Sequence, residues 1–154
     1  MDDLHLLDLG HKTVFYVGRV QGATDNTRAN GWKDALEERG IEAPEPIVVS
    51  DGNLEKAVKA GHELGRRGEA TAIFADSDET AIAVIRGLRE TGRRVPDDVS
   101  VVGFDDRNFG ALWEPSLTSY TQNFLDMGER SFRMLFEQIQ AKRMGADMPP
   151  SRLK

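Results

Sequence analysis

Two adjacent carboxylates, Asp105 and Asp106, close the stretch DDVSVVGFDD at residues 97–106. Such a pair could act as general acid and base, hold a metal ion, accept a phosphoryl group, or accept hydrogen bonds from ligand hydroxyls. A plainer reading stands beside these: one carboxylate caps the next turn and the other is solvated. Adjacent side chains point in different directions, which disfavours a shared proton. A phosphoacceptor site would also need acids after the first strand to hold magnesium, where the chain reads Val17-Gly18-Arg19.

The second candidate is Arg28, in TDNTRANGW. It falls in the first turns of a predicted helix, the positive end of the macrodipole, where a cation is disfavoured. A guanidinium held there against that cost suits two-pronged binding of vicinal hydroxyls or a carboxylate, the alternative being an ordinary surface side chain. His5, His11 and His62 lack metal-ligand spacing, and His11, after Gly10 at a helix end, reads as a C-terminal cap or cation. Trp32 shares helical spacing with Ala29 and Leu36 and reads as core. There is no GxxxxGK[ST] phosphate loop, no GxGxxG and no nucleophile elbow. No cofactor is therefore expected, and no enzyme.

The elements that must position these residues come from the apolar pattern. Short β-branched runs at 13–17, 47–49, 71–75 and 99–103 alternate with helical stripes: Ala29, Trp32 and Leu36; Leu54, Val58, Gly61 and Leu64; Ala81, Ile82, Ile85 and Leu88. Gly40, Gly68 and Gly92 mark helix ends, and Thr24 or Asp25, Asn53, and Asp76 or Ser77 are N-cap candidates. The pattern predicts an α/β fold with a doubly wound parallel sheet in the order 2-1-3-4, layered αβα. Ligands of such sheets bind outside the carboxyl ends of the strands, where the winding reverses. That places the loop after strand one (18–26), Asp76-Ser77-Asp78 and Asp105-Asp106 at one edge. A fifth extended segment is expected at 117–121, an amphipathic helix at 123–141 with Phe124, Gly128, Phe132, Leu135 and Ile139 on one side, and a tail from Lys142.

With 154 residues, 39% hydrophobic, the chain has the size of one compact domain or a large piece of one. A net charge of −6 argues against a surface that grips nucleic acid. The absence of cysteine, of an apolar run of membrane length and of a leader-like start predicts a soluble, cytoplasmic protein.

Four stretches then carry a resemblance: HLLDLGHKTVFYVGR (5–19), TRANGW (27–32), TAIFADSDETAIAVIRGLRETGRRVPDDVSVVGFDD (71–106) and PSLTSYTQNFLDMGERSFRMLFEQI (115–139). In order and spacing they resemble the effector-binding region of LacI/GalR-type transcriptional regulators. The resemblance implies the C-terminal lobe of a two-lobed, periplasmic-binding-protein-like core, over residues 1–122. It implies that helix 123–141 packs on the other lobe, that 142–154 holds a shortened last strand, and that the chain is a fragment. It further implies a sugar or polyol effector, with Arg28, Asp105, Ser77 and Asp78 as contacts; Ser77 stands where the family usually has asparagine, and the usual stacking aromatic after strand two is missing. The third helix and the loop after the Asp pair, with Ile82, Ile85, Phe109 and Trp113, would form a homodimer face, packing within the lobe being the alternative for the two aromatics. DNA would be met only through an N-terminal helix-turn-helix outside these residues. The rivals are a sugar-binding protein of the same fold without DNA binding and, more remotely, a small flavodoxin-like hydrolase or phosphotransfer domain.

Overall fold

The computed structural model describes residues 2–20, 27–49, 53–107 and 110–143. Element order is α1 (Asp2–Asp8), β1 (Phe15–Gly18), α2 (Thr27–Glu38), β2 (Ile47–Val48), α3 (Leu54–Arg67), β3 (Ala72–Ala75), α4 (Asp78–Glu90), β4 (Ser100–Asp105), a 3₁₀ turn (Gly110–Leu112), β5 (Thr118–Thr121) and α5 (Phe124–Arg143). The chain divides into two compact units, Met1–Thr121 and Gln122–Lys154.

All five strands run parallel in the order β2-β1-β3-β4-β5. Parallel pairing needs crossovers, and here the helices supply them on both faces. The alternation of the strands divides the core in two. Phe15, Val17, Ile73, Ala75 and Val101 face α3 and α4, with Ala57, Leu64, Val84 and Leu88 against them. Val14, Tyr16, Phe74 and Val102 face α1 and α2, with Leu6, Trp32 and Leu36 against them. Trp32 is core as expected, and its indole N–H donates to the Val14 carbonyl at 2.8 Å.

Helix ends follow local chemistry. Asn53 caps α3 by accepting from the Lys56 amide, and Ser77 caps α4 by accepting from the Thr80 amide. Gly40, Gly68 and Gly92 take positive φ where their helices stop. The caps suggested at Thr24 and Asp25 lie outside the described residues.

Three expectations need correction. The buried face of α3 is Ala57, Ala60, Gly61, Leu64 and Gly65, with Leu54 exposed. The reason is close helix packing: a Cβ on Gly61 would collide with the Val84 carbonyl, and one on Gly87 with the Val58 carbonyl, so α3 and α4 meet backbone to backbone. His11 does more than end α1. Its ring joins Thr71 Oγ1 (3.0 Å) to Ser100 Oγ (3.2 Å), bridging the entries of β3 and β4. Ile85 is 2% exposed within the α3–α4 core and offers no surface to a partner copy.

The second unit consists, among described residues, of α5, capped by Asn123 Oδ1 accepting from the Asp126 amide. It runs to Arg143, two residues beyond the predicted end. None of its residues is buried, and Phe132 and Phe136 stack at 6.2 Å on its surface.

Candidate functional site

The winding of the sheet reverses between β1 and β3, and the groups at their carboxyl ends are built tightly. Gly18 ends β1 because a Cβ there would run into Asp76. Asp76, just after β3, is buried; its Oδ2 accepts from the Arg19 amide (2.9 Å) and from Arg19 Nε (3.2 Å), and its Oδ1 accepts from the Thr80 hydroxyl (2.9 Å). Asp76 stands at the edge where its loop is expected, but it does not cap the helix. That job falls to Ser77, whose hydroxyl also donates to Thr80 Oγ1.

Arg28 and Asp105 come together across 77 residues of chain. Arg28 Nη1 donates to the Asp76 carbonyl at 2.8 Å and Nη2 to Asp105 Oδ1 at 3.2 Å. The guanidinium carbon lies 4.1 Å from the centre of the Phe104 ring. Three fixed contacts hold this cation in one place, and the aromatic face beneath it adds attraction. Phe104 in turn stacks on Tyr120 at 5.2 Å, and Tyr120 is 41% exposed. An accessible aromatic therefore exists at this edge, supplied by β5 rather than by the segment after β2.

Asp105 and Asp106 both have positive φ, 101° and 51°. Non-glycine residues rarely adopt such a backbone, and two in succession store strain of a kind that concentrates at functional sites. Asp106 turns away from Arg28: its Oδ2 accepts from the Thr121 hydroxyl at 2.5 Å, and its amide donates to Ser119 Oγ at 3.0 Å. The two carboxylates thus do different work, which answers against a paired acid and base.

Asp78 departs from the expected effector contact. It is 0% exposed, its Oδ2 accepts from the Arg107 amide (2.6 Å) and its Oδ1 from the Ser119 hydroxyl. It braces the loop from beneath. Beside the edge lies a cavity of about 300 Å³, lined in part by Arg19, Asp76, Ser77, Glu79, Asp105 and Arg107. Arg107 pairs with Glu79 at 3.1 Å, so three arginine–carboxylate pairs line this edge. Arg19 and Phe104 are not singled out by the sequence; the arginine at 19 directly after Gly18 is the available signal.

On another surface, a cavity of about 600 Å³ is lined by Leu54, Val58, Ile82, Arg89 and Trp113, among others. Ile82 and Trp113 thus share one accessible face, while Phe109 lies outside the described residues. Among the described residues, no three His, Cys, Asp or Glu side chains could hold a metal ion, and no helix is long and apolar enough to cross a membrane.

The fold and this edge define a class, a parallel α/β lobe carrying a polar crevice at its winding reversal, and comparison with known proteins gives it a family. Residues 4–153 match the periplasmic binding protein-like domain, and the chain belongs to that family; the curated relatives and solved structures it is similar to are LacI-type transcriptional regulators. It is 36% identical to the HTH-type transcriptional regulator CelR of Thermobifida fusca over 137 residues, covering 87% of this chain and 40% of that protein. It is 33% identical to catabolite control protein A of Priestia megaterium, covering 84% and 40%. Among solved structures, a CelR–cellobiose complex superposes with a TM-score of 0.80 at 34% identity, covering 98% of this chain and 46% of that one. A dimeric Lac repressor does so at 0.75 and 28%, covering 90% and 52%. The chain therefore spans about two fifths of the length of these curated relatives.

Proposed function

We propose that the Arg28–Asp105 edge is one wall of a binding site for a hydroxyl-rich small molecule, a sugar or polyol, in a transcriptional regulator. The observation that carries this reading is the guanidinium of Arg28, fixed by Asp76, Asp105 and the Phe104 ring at the sheet's winding reversal. A planar donor fork beside a carboxylate matches vicinal hydroxyls, which both donate and accept, and Tyr120 offers an apolar face for a sugar ring. Ser77, spent on its helix cap, contributes at most through its oxygen.

In the longer regulators the effector would lie between two lobes and alter operator affinity by binding one lobe arrangement better than the other. DNA contact would come from a helix-turn-helix outside these residues, and the face with Ile82 and Trp113 would meet a second copy. The cytoplasm is the compartment this role requires.

The test is calorimetric titration of the chain, and of a longer parent regulator, with cellobiose and lactose, the sugars named in the CelR complex and in a complex of a regulator from Arthrobacter sp. FB24 that superposes at a TM-score of 0.73. Binding that disappears in Arg28→Ala supports the site. Binding that survives that change removes Arg28 from it.

A further inference from the structure

We infer that Asp78 is a positioning residue: it clamps the strained turn that aims Asp105 at Arg28, and contacts no ligand itself. The inference rests on the proposed binding role of that edge and adds to it the group that sets its geometry.

The argument begins with two positive φ angles. A backbone at 101° and then 51° will relax unless its neighbours are tied down. The two amides that follow Asp105 are tied to one carboxylate. Arg107 N–H donates directly to Asp78 Oδ2 at 2.6 Å. Asp106 N–H donates to Ser119 Oγ at 3.0 Å, and the Ser119 hydroxyl donates onward to Asp78 Oδ1. Asp78 thus holds two consecutive amides, one directly and one through a hydroxyl. Charge-assisted bonds to a carboxylate that is itself fully buried are strong enough to offset the strain.

The fold makes room for the clamp. Gly103 in β4 carries no side chain where a Cβ would sit 2.5 Å from Asp78 Oδ1. Asp78 is the first residue of α4, directly after the Ser77 cap, so its carboxylate also meets the positive end of the helix. A group with full burial, two anchored partners and no place in the lining of the adjacent cavity has no surface to offer a ligand.

Asp78→Asn tests this with little change of shape. The carboxamide has only one acceptor oxygen, so its NH₂ must face either the Arg107 amide or the Ser119 hydroxyl. By NMR, amide exchange at Asp106 and Arg107 should quicken by about tenfold or more while amides of β1 and β3 keep their protection. Cellobiose affinity should fall by a similar factor. Ser119→Ala, which leaves Asp78 intact, should release Asp106 alone and weaken cellobiose less; it also stands in should Asp78→Asn fail to fold. A merely structural role would lower protection across the sheet and leave affinity per folded molecule unchanged. Undisturbed exchange at Asp106 and Arg107 in both variants would overturn the clamp, as would full sugar affinity in Asp78→Asn. If the unaltered chain takes up neither cellobiose nor lactose, the binding role of the edge fails, and exchange at Asp106 and Arg107 still decides for or against the clamp.

Discussion

The two edges of the sheet use similar residues to opposite ends. At the amino-terminal edge, His11 ties Thr71 to Ser100, and Arg94 grips Asp98 through Nε (3.1 Å) and Nη2 (2.9 Å) while the Arg94 amide adds a third bond (2.8 Å). Each partner is near in sequence or at a neighbouring strand entry, and none of these residues has a left-handed backbone. At the carboxyl edge, Arg28 reaches Asp105 across the chain, and the carboxylate it meets stands on a strained turn. Ion pairs formed within a loop stabilise that loop. Ion pairs assembled from distant elements hold a geometry, and their value is lost unless something uses it. The first edge is built for closure; the second carries the geometry on which the proposed recognition role rests.

The contrast can be broken first from below. Ile73, fully buried in β3, supports both edges, and Ile73→Ala should cost about 2–5 kcal/mol in urea unfolding and weaken both together. An effect confined to one edge would show that they do not share a floor. The next change separates them: Arg28→Ala should reduce cellobiose affinity by about tenfold or more, with a much smaller loss of stability than Ile73→Ala, since Arg28 lies at the margin of the core. Equal losses of binding and stability would make the carboxyl edge structural as well.

Acid separates the edges from the other side. The hydrogen bonds from Arg94 hold Asp98 at about 2, below the usual 3.8. A carboxylate with a depressed folded value adds stability that is complete above about pH 4 and disappears as pH falls towards 2. Thermal melts between pH 5 and pH 2 should show a shallower decline in Asp98→Asn than in the unaltered chain, with sugar affinity at neutral pH unchanged. Smallest of all, His11→Ala should cost on the order of 1 kcal/mol and leave binding alone. A loss of affinity in either amino-edge variant would show that the edges communicate.

How far these edges were legible in the sequence follows from the same physics. The strands, the order of the first four and the placing of Arg28 and Asp105 at one crevice come from periodicity, from the topology rule and from a resemblance to a known family, all of which act on whole elements. What lay out of reach depended on the direction of single side chains. Ile82 and Ile85 share an apolar stripe, yet a modest rotation about α4 puts one at an accessible face and the other in the core. Asp76, Ser77 and Asp78 are three polar residues in a row. One braces Arg19, one caps a helix and one holds the strained turn, and only the register between β3, β4 and β5 assigns the roles. Phe104 reads as one more aromatic in a strand until Arg28 is placed over it.

The position of β1 inside the sheet, between β2 and β3, bears on how the chain is made. Phe15 pairs with Ile73, and Val17 with both Ile47 and Ala75, so an early strand waits for a late one. As the chain leaves the ribosome, β1 can find β2 soon, but its other edge stays open until the residues of β3 emerge. An unpaired, apolar edge of this kind is a template for wrong partners. Synthesis that pauses between residues 49 and 72 would lengthen that exposure, and chaperone dependence should be greatest for nascent chains ending there.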